Sequence, residues 1–316
     1  MLAGRIKKLT LFLVPALLAL TVWQVAASPA PQGRARGEFP PPQTAWGSAE
    51  PLGNGEIQTF VTLTRNGKPI FVGVRFDAQA LSGLPQEMSD GAWDIIDPDT
   101  GEVVWHCCGH ETILDFPPEG SATPFKFFIA NWNPHGHVPP GVYDTPHFDF
   151  HFYTITDAER KQIATPGGPD EMCLVEQPDG STAPVPLTCE LYERAVAPLP
   201  ADQQPPNNVN VNAVEPGMGN HLIDLSSPEF TGGAFSHTWI YGAFDGRLIF
   251  HEPMITTAFF EQLQDEVCVP IGTPQAMPDA GYYPTEYCMR YLGNQDAYTV
   301  TLESFQWFSA SSGIVE

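Results

Sequence analysis

The sequence predicts a mostly β fold, an antiparallel β-sandwich or a cupin-like barrel with a few short helices. Short runs of β-branched and aromatic residues recur between turn signals along most of the chain. Helix signals are rare. Proline, with 33 of 316 residues, is about twice as frequent as in an average protein. That composition favours many turns over long helices.

The strongest strand prediction is a hairpin early in the chain. Runs at 57–64 and 70–76 flank Asn66-Gly67, a dipeptide that suits a tight primed turn. A second hairpin turn is predicted at Asp245-Gly246. Two short helices are predicted, one from a capping box at 156–159 and one from 257 to about 264. Further strands are predicted at 93–96, 102–105, 125–132, 148–155, 237–243, 247–251 and 298–308.

The N-terminus has the layout of a secretory signal peptide over residues 1–27. Three basic residues precede an uncharged apolar stretch, and small residues follow at 25–27. We expect cleavage after Ala27. An uncleaved anchor is the alternative, although the stretch is just short of the roughly 20 residues that span a bilayer. No later segment has that length and apolarity, so the chain is predicted to be secreted, periplasmic or attached at the cell surface, with no membrane span after cleavage.

The rest of the chain is predicted to form a single β-rich domain over 51–316. Residues 28–50, rich in Pro, Gly and Ala, are predicted to be a flexible leader. A Pro- and Asn-rich stretch at about 195–217 predicts a long surface connection. One domain is favoured over two because histidine-bearing segments on both sides of this connection look like parts of one site.

Charge and motifs exclude several classes of function. The formal net charge of −23 becomes −26 when the signal peptide is removed, and so acidic a chain would be repelled by a phosphate backbone. Nucleic acid is therefore not an expected partner. The sequence has no phosphate-binding loop and no complete dinucleotide motif, so no nucleotide cofactor is expected. It also lacks the G-x-S-x-G and H-E-x-x-H motifs.

The six cysteines all follow the signal peptide, and their even number suits an oxidising compartment. Six cysteines allow 15 pairings. The local choices are Cys173 with Cys189 and Cys268 with Cys288. The adjacent Cys107 and Cys108 are then left, either bridged to each other or bridged to Cys173 or Cys268. Because His106 and His110 flank this pair, copper or zinc binding and redox activity are the alternatives.

The most informative stretch is 147–153, which alternates strictly. His147, Asp149 and His151 share one face of a predicted strand, and three Phe residues share the other. The Phe face must be core, and the opposite face carries three metal ligands. Same-face neighbours on a strand are roughly 6.5–7 Å apart. Neighbouring members could therefore share an ion, but His147 and His151 could do so only across a bulge.

Further ligands must come from other segments. His137, with His135 beside it, precedes the strand, and the second half of the chain offers His221 and Glu252. His237, His251 and Asp224 lie in the same second-half segments. Two His with a carboxylate or a third His leave an open coordination position, as in catalytic zinc and non-haem iron sites. The candidate cofactor is a divalent metal: zinc, iron, manganese or copper. A hydrogen-bonded polar network without an ion is the alternative.

These residues resemble a family of exported bacterial and archaeal proteins, a domain of unknown function named after a stress-regulon protein from Thermus. The resemblance lies in Gly136-His137-x-Pro-x-Gly-Val-Tyr-x-x-Pro-His147 with the following strand, and in Gly217-x-Gly-x-His221-x-x-Asp224. It covers most of residues 55–260. It implies that the histidine-rich segments belong to the shared design of the domain, and it implies no reaction. The Cys107-Cys108 pair is not part of the pattern.

Three hypotheses of function follow. The first is an exported metal-binding β domain. If it is an enzyme, it is a metal-dependent hydrolase or oxygenase in which a carboxylate that does not bind the metal acts as base. The second is a non-enzymatic envelope or stress protein, self-assembling into a homo-oligomer, whose His and acidic residues form a structural network. The third is an extracellular module that binds a sugar or a cation in an exposed aromatic cleft. An enzyme requires at least three ligands that converge on an open cavity.

Overall fold

Two antiparallel sheets dominate the computed structural model, which describes residues 38–177 and 180–313. These residues fall in one compact unit, Glu38–Glu316. The predicted signal peptide and residues 28–37 of the predicted leader lie outside the described residues. The rest of that leader is described, and its end belongs to a strand that begins at Ala45. Within the described part of the chain, no helix has the length and apolarity needed to cross a membrane.

The strands are short and numerous, as the turn-rich composition predicts. In chain order they are β1 (Ala45–Leu52), β2 (Gly55–Leu63), β3 (Pro69–Asp77), β4 (Ile95–Ile96), β5 (Val103–Trp105), β6 (His110–Asp115), β7 (Phe127–Asn133), β8 (His147–Tyr153), β9 (Cys173–Glu176), β10 (Thr182–Val185), β11 (Asn208–Glu215), β12 (Gly219–Asp224), β13 (His237–Phe244), β14 (Arg247–Thr256), β15 (Glu266–Pro270), β16 (Gly281–Tyr283), β17 (Glu286–Leu292), β18 (Ala297–Glu303) and β19 (Gln306–Phe308).

The helices are α1 (Asp157–Arg160), α2 (Cys189–Ala195) and α3 (Thr257–Gln262). Each begins after a threonine whose side chain accepts a hydrogen bond from a backbone N–H of the first turn. The predicted capping box is present at α1, where Thr156 and Glu159 bond reciprocally. Five 3₁₀ turns complete the helical content at Ala78–Leu81, Pro118–Ala122, Pro169–Glu171, Ala201–Gln203 and Pro228–Phe230.

The first sheet has the order β1-β2-β3-β18-β17-β15, and the second has the order β11-β12-β13-β14-β8-β7-β6. The mostly β prediction is confirmed. Across the described ranges no strand of one sheet pairs with a strand of the other. Two separate antiparallel sheets with a core between them are consistent with the β-sandwich of that prediction.

The predicted first hairpin is the β2–β3 pair, but its turn is not the predicted primed turn, because Gly67 has a positive φ of 75° and Asn66 does not. The predicted strand over 298–308 differs from the structure. It is divided into β18 and β19 because Ser304 adopts a left-handed φ of 55° and turns the chain. The predicted connection at about 195–217 is only partly irregular, since its alternating Asn-Val segment forms the edge strand β11.

The core lies between the two sheets. Phe148, Phe150 and Phe152 of β8 are fully buried there, as the alternation predicts. The ring of Phe76 on the facing sheet lies 6.2 Å from that of Phe150. Burying each of these side chains contributes roughly 1.5–3 kcal/mol. The opposite face of β8 is buried too, under loops and α1, and there it carries the polar residues.

Three cysteine pairs lie at disulfide distance: Cys107–Cys108, Cys173–Cys189 and Cys268–Cys288. The last two are the local pairs expected from the sequence. Cys268 and Cys288 are direct partners across β15 and β17, so this link joins neighbouring strands of the first sheet. The Cys107–Cys108 pair lies just before β6, and Cys108 faces the cavity described below.

Candidate metal centre

Two groups of residues that could hold a metal ion lie on the outer face of the second sheet. The first is His137, His147 and Asp149, called here the His137 group. The second is His151, His221 and Glu252, called here the His221 group. In each group, one ligand atom per residue lies within 4.8 Å of the others. The six residues predicted from the sequence as ligands are the six members of these groups.

Strand register divides the ligands between the two groups. His147, Asp149 and His151 alternate along one face of β8, and β14 pairs with β8 so that Met254 is opposite Asp149. Two residues earlier on β14, Glu252 therefore comes beside His151. His151 thus joins Glu252, whereas His147 stays with Asp149. The sequence predicts that His147 and His151 could share an ion only across a bulge, and this division agrees with that expectation.

The His137 group centres on the Asp149 carboxylate. Asp149 Oδ1 lies 3.1 Å from His147 Nε2, and Oδ2 lies 3.4 Å from His137 Nε2. Asn133 on β7 donates a hydrogen bond of 2.8 Å to Oδ2. His137 stands in the loop before β8, where Gly136 has a φ of 67° and a side chain would collide with the Tyr143 carbonyl. His137 is the most exposed member, at 36%.

The His221 group centres on Glu252. Glu252 Oε1 lies 3.4 Å from His151 Nε2, and Oε2 lies 3.9 Å from His221 Nε2. Both Glu252 and His151 are almost completely buried. His221 stands on β12, after the left-handed Gly219, where any side chain would meet the carbonyl of Ala243. The Gly-x-His spacing of the sequence thus has a steric cause.

All four imidazoles have the same orientation. The Nδ1 atoms of His137, His147 and His221 donate to backbone carbonyls at 2.8, 2.6 and 3.0 Å. His151 Nδ1 lies 3.0 Å from the side-chain oxygen of Asn131. Asn131 is oriented by its own amide nitrogen, which donates to the Cys108 carbonyl. Each ring therefore carries a proton on Nδ1 and turns Nε2 toward a carboxylate, the arrangement of metal-binding histidines.

Four buried atoms of the two groups have no hydrogen-bond partner among the described residues. They are the Nε2 atoms of His147 and His151, Oδ1 of Asp149 and Oε2 of Glu252. A lone pair that faces a carboxylate oxygen at 3.1–3.4 Å is repulsive unless a proton or a cation lies between them. Because most buried polar side-chain atoms in proteins have a partner, these four atoms, which lie together, fit a bound cation.

The electrostatics of the two groups differ. Burial would raise the pKa of Asp149, but the charges and hydrogen bonds of His147 and His137 outweigh it and hold that pKa well below its usual value. Burial would likewise lower the pKa of His137, and Asp149 instead raises it. In the His221 group, burial lowers the pKa of His151 to about 3 and that of His221 to about 4.

Glu252 has the opposite shift to Asp149. Burial, followed by the negative charge of Asp149, raises its pKa well above the usual value. Without a cation, the His221 group thus favours two neutral imidazoles and a protonated carboxyl group. A divalent ion would reverse the preference of Glu252, because it attracts the ionised form and binds the neutral imidazoles.

A cavity of about 410 Å³ opens beside both groups. His137 and Asp149 line it from the first group, and His221 lines it from the second. Its volume lies in the roughly 300–1,000 Å³ range of small-molecule sites. The remaining lining is mostly apolar and includes Ile240 and Met254. Ions held by the two groups would thus be reachable from outside.

The other histidines considered from the sequence have separate roles. His251 points into the core, where its ring stacks 5.8 Å from that of Tyr283. Adjacent residues of a strand face opposite sides, so His251 and Glu252 cannot belong to one site. Three others make hydrogen bonds elsewhere: His135 with the Gln86 carbonyl, His110 with the Glu87 carbonyl and His237 with the Tyr287 hydroxyl. Asp224 accepts bonds from Ser226.

The structure adds polar residues that were not predicted as part of the site. Asn131 and Asn133 orient His151 and Asp149. Both lie on β7, two residues apart. Their spacing would have predicted that they face the site once β7 and β8 were known to pair. Glu215 on β11 also faces the cavity, and burial raises its pKa to about 7. The sequence did not predict Glu215 as part of the site, because it lies in the stretch predicted as a long surface connection.

Comparison of the chain with protein-family models, with curated proteins and with solved structures found no match. The resemblance described from the sequence therefore stays a prediction.

Proposed function

We propose that this chain is an exported metal-binding domain whose His137 and His221 groups each hold a divalent ion. The observation that carries the proposal is the common orientation of the four imidazoles. Each directs Nδ1–H to an oxygen of the protein and Nε2 to a carboxylate. Without an ion, the Nε2 atoms would need protons in order to face these carboxylates. A divalent ion in each group would satisfy the four buried atoms that lack a partner among the described residues.

The ligand set indicates the kind of ion. Two imidazoles and one carboxylate per group suit zinc, iron, manganese or copper in the divalent state. Such a group leaves coordination positions open, and the cavity reaches members of both groups. A divalent ion there would polarise a bound water or a substrate oxygen. This openness favours a metal-dependent hydrolase or oxygenase over a closed structural site.

The experiment is metal analysis of the mature protein, purified without an affinity tag or chelator. Plasma mass spectrometry should find close to two divalent ions per chain. A His147→Ala/His151→Ala variant removes one ligand from each group and should lose both ions while it stays folded by circular dichroism. The matched control is His110→Ala/His135→Ala, which also removes two histidines and should keep the ions.

Wild-type protein that stays free of metal after reconstitution, with a melting temperature unchanged by chelator, would contradict the proposal. A non-enzymatic envelope or stress protein with a structural polar network would then be the better hypothesis. One ion per chain would restrict the proposal to a single group. The single variants Asp149→Ala and Glu252→Ala would identify which group holds it.

A further inference from the structure

We propose that the cavity beside the two groups binds a small monocarboxylic acid with an apolar body. Its carboxylate would bind the ions on the cavity floor, and its carbon chain would lie along the walls toward the mouth. This inference rests on the proposed function, because the ions supply the positive charge. It adds a ligand class that the metal site by itself does not define.

Charge favours an anionic head group. When ions bind, Asp149 and Glu252 are ionised and the four imidazoles are neutral. Two divalent ions then exceed the two carboxylates by two positive charges. No lysine or arginine occurs among the described residues that line the cavity. The ions would therefore supply the positive charge in the cavity, and an anionic oxygen of the ligand would bind them directly.

The cavity lining also bears on the choice between carboxylate and phosphate. Many phosphate sites use arginine, lysine or several backbone N–H groups, and the described lining has neither arginine nor lysine. Two-metal sites can also bind phosphate. We commit to a carboxylate, and inorganic phosphate is titrated beside it; tighter binding of phosphate would overturn the choice.

The apolar body of the ligand is indicated by the walls and by the mouth. Met218, Ile223 and Phe230 line the walls with Ile240 and Met254. Three lining residues are also among the exposed large apolar side chains of the molecule: Val138 at 57%, Val211 at 47% and Leu225 at 49%. Apolar side chains that gather at the edge of one cavity mark a binding site for an apolar group.

The probe is octanoate, added to protein whose metal content has first been measured. Calorimetry measures its affinity and that of two comparison compounds. Acetate shares the head group and lacks the chain, and octylamine shares the chain and reverses the charge. We expect octanoate to bind at least about tenfold more tightly than either, because only octanoate uses both the ions and the apolar walls.

Leu225→Asp places a charge at the mouth and should weaken octanoate binding by about tenfold or more. The matched control is Leu174→Asp, which changes an exposed leucine of β9 outside the cavity lining and should leave the affinity unchanged. In cobalt-substituted protein, octanoate should also alter the visible absorption spectrum, since its oxygen enters the coordination sphere.

The outcomes separate the two proposals. Protein that holds its ions but binds octanoate no better than octylamine would overturn the ligand inference and leave the metal site intact. Equal loss of affinity in Leu225→Asp and Leu174→Asp would also overturn it. Protein that takes up no metal would overturn both proposals, and the metal analysis reveals that case before any ligand is added.

Discussion

Asn131 links the His151 imidazole to the loop that carries the paired cysteines. Its side-chain oxygen accepts from His151 Nδ1 at 3.0 Å, and its amide nitrogen donates to the Cys108 carbonyl at 2.8 Å. Asn133, two residues on, donates to Asp149 instead. Each asparagine therefore orients one member of a different group, so the two ion sites can be tested separately.

Asn131→Ala should weaken metal binding by the His221 group and leave metal binding by the His137 group unchanged. The His151 ring loses the partner that orients Nε2, and the loss of such a partner typically costs 10–100-fold in metal affinity. A metal titration should show one of two binding steps weakened. Asn133→Ala is the reciprocal control and should weaken the other step. Equal effects of the two variants on both steps would contradict separate sites.

Glu215 provides a prediction on pH. Burial raises its pKa in the folded protein to about 7, against an ordinary value of 4.5. Glu215 therefore contributes fully to the free energy of unfolding below about pH 4.5. This contribution is lost as the pH rises through 7, because the folded state then has to ionise a carboxyl group whose charged form burial disfavours.

Glu215→Gln keeps the shape and removes this ionisation. The variant should therefore gain in free energy of unfolding relative to wild type between about pH 5 and pH 8. Urea unfolding at the two pH values measures the change. Glu193→Gln, at an exposed position of α2, is the control and should show no such gain. A gain for Glu215→Gln that is the same at both pH values would count against the assignment.

Strands β13 and β14 support the site through one close contact. Gly242 lies opposite Phe250, and a side chain at Gly242 would come within 1.9 Å of the Phe250 ring. That ring lies 4.8 Å from His151 and 5.3 Å from His221, measured between ring centroids. The glycine thus leaves room for an aromatic ring that meets the His151 ring edge to face and the His221 ring at a tilt.

Gly242→Ala should displace Phe250 and lower the free energy of unfolding by about 1–3 kcal/mol. It should also weaken metal binding by the His221 group. Chemical denaturation and metal titration measure the two effects. Gly293→Ala is a suitable control, since an added carbon there meets no atom closer than 3.5 Å. A variant that unfolds more easily but binds metal as wild type does would show that Phe250 has no part in orienting the histidines.

Across the whole molecule, the parts predicted from the sequence are those with strong local signals. The β2–β3 hairpin and the alternation of β8 depend on neighbouring residues, so the sequence alone predicts them. Strands β11 and β12 were missed because Asn, Pro and Gly dominate their surroundings. β11 also lies at an edge, where polar residues are tolerated on both faces.

The candidate ligands were predictable by type, but their grouping was not. His151 and Glu252 are about a hundred residues apart, and only the pairing of β8 with β14 brings them together. Such register depends on packing of the whole sheet. The same holds for Glu215, which reaches the cavity because β11 pairs with β12 at the sheet edge.

The two-sided pattern of β8 also protects the molecule against misassembly. A slip of the strand by one residue relative to β7 or β14 would turn every side chain to the opposite side. Phe148, Phe150 and Phe152 would leave the core, and His147, Asp149 and His151 would enter it without their partners. Both errors would be costly at once. The candidate ligands therefore also help to fix the register of β8 during folding, whether or not an ion is bound.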